Sequence, residues 1–94
     1  MEFLVEIRIS VPLDMPEAQR EQLLARERER GQELRAAGTI VRIWRVPGRW
    51  ANVGIWQAAD ATELHDAISS LPLFPWMSVE VAPLATHYLE QTQP

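Results

Sequence analysis

The stretch TIVRIWRVPGRWANVGIWQ, residues 39–57, holds two β-forming runs on either side of one turn signal. Thr39 to Val46 and Trp50 to Gln57 are rich in β-branched and aromatic residues, which suit a pleated, half-buried surface. Pro47-Gly48 between them is a turn dipeptide. The pair reads as a β-hairpin, and its flanks decide the fold. Upstream, Gly38 is a natural helix stop, and the charged run before it reads as one long helix back to Asp14. Asp14 is the expected N-cap with Glu17 as its capping-box partner, and Pro16 falls in the first turn, where a missing N–H is harmless. Before that helix, Phe3, Val5, Ile7, Ile9 and Val11 alternate with Leu4, Glu6, Arg8 and Ser10. This period of two predicts a strand over roughly 2–11, stopped by Pro12.

Downstream, Asp60 and Glu63 form a second capping box. The helix they open uses Leu64, Ala67, Ile68 and Leu71 and ends at Pro72. Leu73-Phe74-Pro75-Trp76 is an apolar connector into a last strand over 77–84, and 85–94 reads as a tail that frays or lies on a neighbour. Strand–helix–strand–strand–helix–strand is the split βαβ, or ferredoxin-like, order. The expectation is an α+β fold: a four-stranded antiparallel sheet with two helices on one face, in a single domain over 1–94.

Composition narrows the function classes. There is no cysteine, so disulfides, thiol nucleophiles and thiolate metal sites are excluded together. All nine basic residues are arginine, which excludes Schiff-base chemistry on lysine and favours bidentate grip on carboxylates. A net charge of −4 argues against a general nucleic-acid binder. The opening MEFLVEIRIS lacks the basic region and unbroken apolar run of a signal peptide, and no stretch approaches the ~18 apolar residues of a membrane span. A cytoplasmic protein is expected.

Both faces of the sheet read as apolar. Counting by twos, Ile40, Arg42, Trp44 and Val46 share one face of the second strand, and Val41 and Ile43 the other. Trp50, Asn52 and Trp56 share one face of the third strand, and Ala51, Val53 and Ile55 the other. The helices cover only one side, and large exposed apolar patches mark interfaces. A homo-oligomer that buries the second face follows.

Glu27 is the leading chemical candidate. Leu23, Glu27, Gly31 and Leu34 fall at i, i+4, i+8 and i+11, one helical stripe. The two leucines must face the sheet, so the carboxylate between them is projected inward, with room left by Gly31. A carboxyl group on a buried stripe has a raised pKa, as a general base near neutrality requires. The competing reading is a structural salt bridge to an inward arginine or a side chain snorkelling at the stripe edge. A second constellation is Arg42, Arg45, Arg49, Trp50 and Asn52 around the hairpin, where arginine beside aromatic rings can hold an organic anion; the alternative is solvated arginines paired with acids. His65 on the second helix caps a pocket or sits at the helix edge, and His87 lies in the tail. Two histidines without ligand spacing predict no metal site. There is no glycine-rich phosphate loop, and Ser69-Ser70 has no triad context.

Several blocks resemble one family. Ala36-Ala37-Gly38-Thr39, then Ile43-Trp44-Arg45-Val46-Pro47-Gly48-Arg49-Trp50-Ala51-Asn52, are similar to the muconolactone Δ-isomerases. So are Glu63-Leu64-His65-Asp66, Leu71-Pro72-Leu73-Phe74-Pro75-Trp76-Met77 and the opening Val11-Pro12-Leu13-Asp14-Met15. The likeness runs from about Phe3 to Val81. It implies a ferredoxin-like subunit in a large ring, typically a decamer, acting without a cofactor in aromatic-compound breakdown, the β-ketoadipate pathway. The implied reaction converts muconolactone to 3-oxoadipate enol-lactone. A base takes the proton from the ring carbon bearing the carboxymethyl arm, a dienolate forms, and the proton returns to the carbon beside the lactone carbonyl. Glu27 matches the acidic position of the family's first helix, and Arg42 or Arg49 is the cation expected for the substrate carboxylate, with Trp50, Asn52 and His65 completing the binding set.

The resemblance has departures. In the family, lysines commonly occupy the positions matching Leu24 and Arg28, and a tyrosine the position matching Trp50. A lysine or phenolic donor is therefore missing here, which bears on the substrate more than on the fold: another anionic unsaturated lactone fits as well as muconolactone. Two rival functions share the fold. One is a cofactor-independent, monooxygenase-like enzyme of the dimeric α/β-barrel group. The other is a non-catalytic, small-molecule-binding oligomer subunit.

Overall fold

The computed structural model describes residues 1–91. The elements are β1 (Glu2–Ile9), α1 (Glu17–Ala36), β2 (Ile40–Arg45), β3 (Ala51–Gln57), α2 (Ala61–Ser69) and β4 (Met77–Leu84), with 3₁₀ turns at Phe74–Trp76 and Tyr88–Glu90. One antiparallel sheet runs in the order β2-β3-β1-β4, the α+β, ferredoxin-like arrangement expected from the element order. The alternation in β1 sets the core. Phe3, Val5 and Ile7 are buried while Leu4 and Arg8 are exposed. On the inner side they join Leu34 of α1, Leu64 and Ile68 of α2, and Ile40, Trp56 and Leu71, so both helices pack on the same face.

The start of α1 differs from the expected capping box. Pro16 occupies the N-cap position, with no side-chain hydrogen bond, and Asp14 lies in the preceding turn. The cause is Pro16 itself: the residue before a proline is driven out of helical backbone angles. Met15 therefore cannot join the helix, and Asp14 is left too early to cap it. At the other end, Thr39 N–H donates to Leu34 O and Gly38 N–H to Arg35 O, with Gly38 at φ 81°. This is a Schellman closure, and a side chain at Gly38 would cost roughly 1–2 kcal/mol of left-handed strain. In α2, Asp60 accepts from Glu63 N–H at 2.8 Å as expected. The Glu63 carboxylate accepts from Ala59 N–H, one residue further back than a standard capping box.

The faces of β2 also differ from the period-two count. Ile40 pairs with Trp56, but Arg42 pairs with Ile55 and Ile43 with Gly54, so Val41 is an extra residue. A bulge flips every side chain beyond it. Ile43 and Arg45 consequently share the helix-covered face with Ile40, Asn52 and Trp56, while Arg42 and Trp44 point to the open face. Two devices hold the bulge. Arg35 of α1 donates to the carbonyls of both Ile40 and Val41. Gly54 lets the β2 backbone come close: a Cβ there would stand 2.6 Å from Arg42 O. The open face is mixed rather than uniformly apolar. Leu4, Trp44 and Leu84 are exposed on it, among the Glu6–Arg8 ion pair at 2.9 Å and Arg42, whose guanidinium lies 4.9 Å from the Trp44 ring centre.

Candidate active site

The α1 stripe is only loosely seated. Leu34 is buried, whereas Leu23, Leu24, Glu27 and Gly31 are half-buried. Glu27 reaches from it across to the connector after α2, where its Oε1 accepts a hydrogen bond from Leu73 N–H at 2.9 Å. That connector is rigid for local reasons. Pro72 and Pro75 remove donors, Trp76 N–H closes on Leu73 O, and Leu73 is buried. Among the described residues, Glu27 makes no ion pair. The nearby Arg30 is committed to Ser70 Oγ at 2.9 Å and Glu33 Oε1 at 3.0 Å. The salt bridge to an inward arginine is not formed among the described residues. Burial pushes its carboxyl pKa up, against a smaller downward pull from the Leu73 N–H. The result is a half-desolvated carboxylate with one hydrogen bond and no cation.

Backbone hydrogen bonds tie this carboxylate to one end of the sheet. From Leu73 the turn leads to Trp76, whose carbonyl accepts from Ser10 N–H, and next to it Ile9 N–H donates to Trp50 O. Two clefts open here and share Ile9 and Trp50 as a common wall. One, of about 370 Å³, is also lined by Arg45 and Asn52. The other, of about 280 Å³, is lined by Met15 and by Arg20 of α1. Arg20 holds its guanidinium 5.9 Å from the Trp50 ring centre. Asn52 lines the first cleft, and its Oδ1 is buried without a hydrogen-bond partner, an acceptor left unsatisfied.

The predicted site residues therefore divide. Trp50 and Asn52 line one cleft together. Arg42 is on the opposite face of the sheet, separated from them by the bulge. Arg49 is exposed in the hairpin turn, where its N–H meets Val46 O and Gly48 takes φ 79°. His65 stands apart, edge-on to Phe74 at 6.1 Å, in an apolar groove between α2 and β4 that also touches Phe3 and Val79. Glu27 is not among the residues lining these clefts; it approaches them through Leu73. Sequence reasoning did not single out Arg20, and it placed Arg42 on the face of Ile40, which Arg45 takes instead. The available signal for the latter was Gly54, since glycine inside a strand marks a bulge or a close backbone approach.

The fold defines a class, a ferredoxin-like α+β domain, with a half-buried carboxylate at Glu27 and an aromatic, arginine-bearing cleft at the sheet end. A family model described as muconolactone delta-isomerase matches residues 1–90. The muconolactone Δ-isomerase of Cupriavidus pinatubonensis is 41% identical over 87 residues, covering 93% of this chain and 95% of that one. That of Rhodococcus opacus is 36% identical, covering 90% and 91%. A crystal structure of muconolactone isomerase superposes with a TM-score of 0.90 at 36% identity, over 100% of this chain and 98% of the other. The chain belongs to the muconolactone Δ-isomerase family and is an isomerase.

Proposed function

We propose that the protein shifts the ring double bond of muconolactone, or of a closely related anionic unsaturated lactone, by a 1,3-proton transfer with Glu27 as the base. The supporting observation is the Glu27 carboxylate: half-buried, raised in pKa by desolvation, free of any cation among the described residues and held by Leu73 N–H. A base with one oxygen anchored keeps the other for the proton. The step balances internally. The proton leaves the carbon bearing the carboxymethyl arm and the ring electrons pass to the lactone oxygen as a dienolate. The same proton returns to the carbon beside the carbonyl, so no cofactor is consumed. The dienolate calls for a donor, worth a few kcal/mol in such sites. The Asn52 side-chain NH₂, on a residue that lines the cleft, is the candidate donor, and Trp50 supplies an apolar face for the ring.

The reading extends to a cytoplasmic enzyme of aromatic-compound breakdown, the β-ketoadipate pathway, assembled as a homo-oligomer, with a ring of ten implied by the family resemblance. Among the described residues no helix is long and apolar enough to cross a membrane. Self-association draws support from shape. The radius of gyration is 15.1 Å, against about 12 Å for a compact chain of this length, and Tyr88 and Leu89 of the tail are 70% and 72% exposed. The family likeness favours neither the monooxygenase-like nor the non-catalytic alternative. The test is an ultraviolet assay of muconolactone with the purified protein and no added cofactor. Conversion to the enol-lactone is expected; absence of turnover on muconolactone and on its ring-substituted analogues would contradict the reading.

A further inference from the structure

We propose that Arg20, on the first turns of α1, holds the carboxylate arm of the lactone and so sets the preference for an anionic substrate. The proposal rests on the isomerase reading above and names a residue for it. The arginines are unequally engaged. Arg8 is paired with Glu6 and Arg30 with Glu33 and Ser70. Arg35 is spent on the bulge carbonyls, and Arg42 lies over Trp44 on the open face. Only Arg20 and Arg45 line the two clefts that meet at Trp50.

Of these two, Arg20 shares a helix with the base. Residues 20 and 27 are seven apart, almost two full turns, so they fall on one face of α1 about 10 Å apart along the axis. In this proposal the lactone spans that distance, its carboxylate at the guanidinium on the cleft wall and its ring toward Glu27. Trp50 steadies the guanidinium by a cation–π contact while leaving its N–H groups free for a bidentate grip. Among the described residues Arg20 has no ion-pair partner, and its position near the helix N-terminus is the unfavourable end of the macrodipole for a cation. Arg20 is exposed at the cleft, so its charge is available to an incoming anion.

The test compares Arg20→Gln, Arg20→Lys and the charge-matched control Arg26→Gln, an exposed α1 position on another face. Each is assayed with muconolactone and with its methyl ester. With the free acid, Arg20→Gln is expected to raise KM about tenfold or more with kcat within about twofold, Arg20→Lys to recover part of the loss, and Arg26→Gln to match wild type. With the ester, Arg20→Gln and wild type are expected to agree. An unchanged KM for the acid would overturn the Arg20 assignment while leaving the isomerase intact, and so would an equal rise for acid and ester. A wild-type protein that neither binds nor converts either compound would overturn the function and the assignment together.

Discussion

At the residue scale, Glu27 is the clearest case of a side chain's placement legible in a linear sequence. Four positions at helical spacing were enough to aim its carboxylate inward. What spacing could not supply was its partner, because Leu73 is 46 residues away and offers a backbone N–H that every residue but proline has. The burial carries a stability consequence. Desolvation raises the folded-state pKa above the ordinary glutamate value, so the folded state binds this proton more tightly than the unfolded chain. Its contribution is present in full below the unfolded pKa and is lost as pH rises through the raised folded value. Glutamine keeps the acceptor for Leu73 and carries no charge. Glu27→Gln is therefore expected to melt higher than wild type near pH 7, with the gap closing toward about pH 4. Thermal unfolding across that range checks it, and a gap independent of pH would show that desolvation of this group has no energetic effect. The arginines were less legible. Arg42 and Arg45 are three apart, on opposite faces by a strict period-two count, and the choice between them hinged on one inserted residue.

That insertion belongs to the scale of elements. The order of strands and helices, the Gly38 stop, the Pro47-Gly48 turn and the Asp60 cap were readable because each rests on local backbone preference. The Val41 bulge was not, because it is a relation between two strands and is held by a third element through Arg35. Gly54 was its only trace in the sequence. Since a Cβ at Gly54 would meet backbone rather than a yielding side chain, Gly54→Ala is expected to destabilise by about 1–3 kcal/mol, the usual range for overpacking. Urea unfolding measures this, and a loss below about 0.5 kcal/mol would mean that the close approach is not needed. The α1 start makes a similar point. Asp14 and Glu17 have capping-box spacing, but Pro16 between them acts on its preceding neighbour and decides where the helix begins.

At the scale of the whole molecule, the chain is extended for its length. Three of the four α1 stripe residues are only half-buried, Trp44 stands on the open face 46% exposed, and Tyr88 and Leu89 of the tail are exposed. The expectation of a second apolar face came from side chains assigned partly to the wrong side of β2. It survives in reduced form, with Leu4, Trp44 and Leu84 set among charged groups. If copies of the chain associate through this face, as proposed above, it tolerates little added charge at its aromatic centre. Trp44→Glu is therefore expected to lower the mass in solution from an assembly toward the 10.8 kDa chain, as read by light scattering after size exclusion. A wild-type protein that runs as a monomer, or a variant that assembles unchanged, would remove the open face from the interface. The central claim is that one carboxylate carries the proton, and its most direct test is the pH dependence of kcat/KM for muconolactone in wild type and Glu27→Gln. Wild type is expected to lose activity on the acid side at a pH above the ordinary glutamate range, and the variant to fall by about 10²-fold or more with that acid limb gone. A Glu27→Gln protein that turns over like wild type, with the same acid limb, would contradict it.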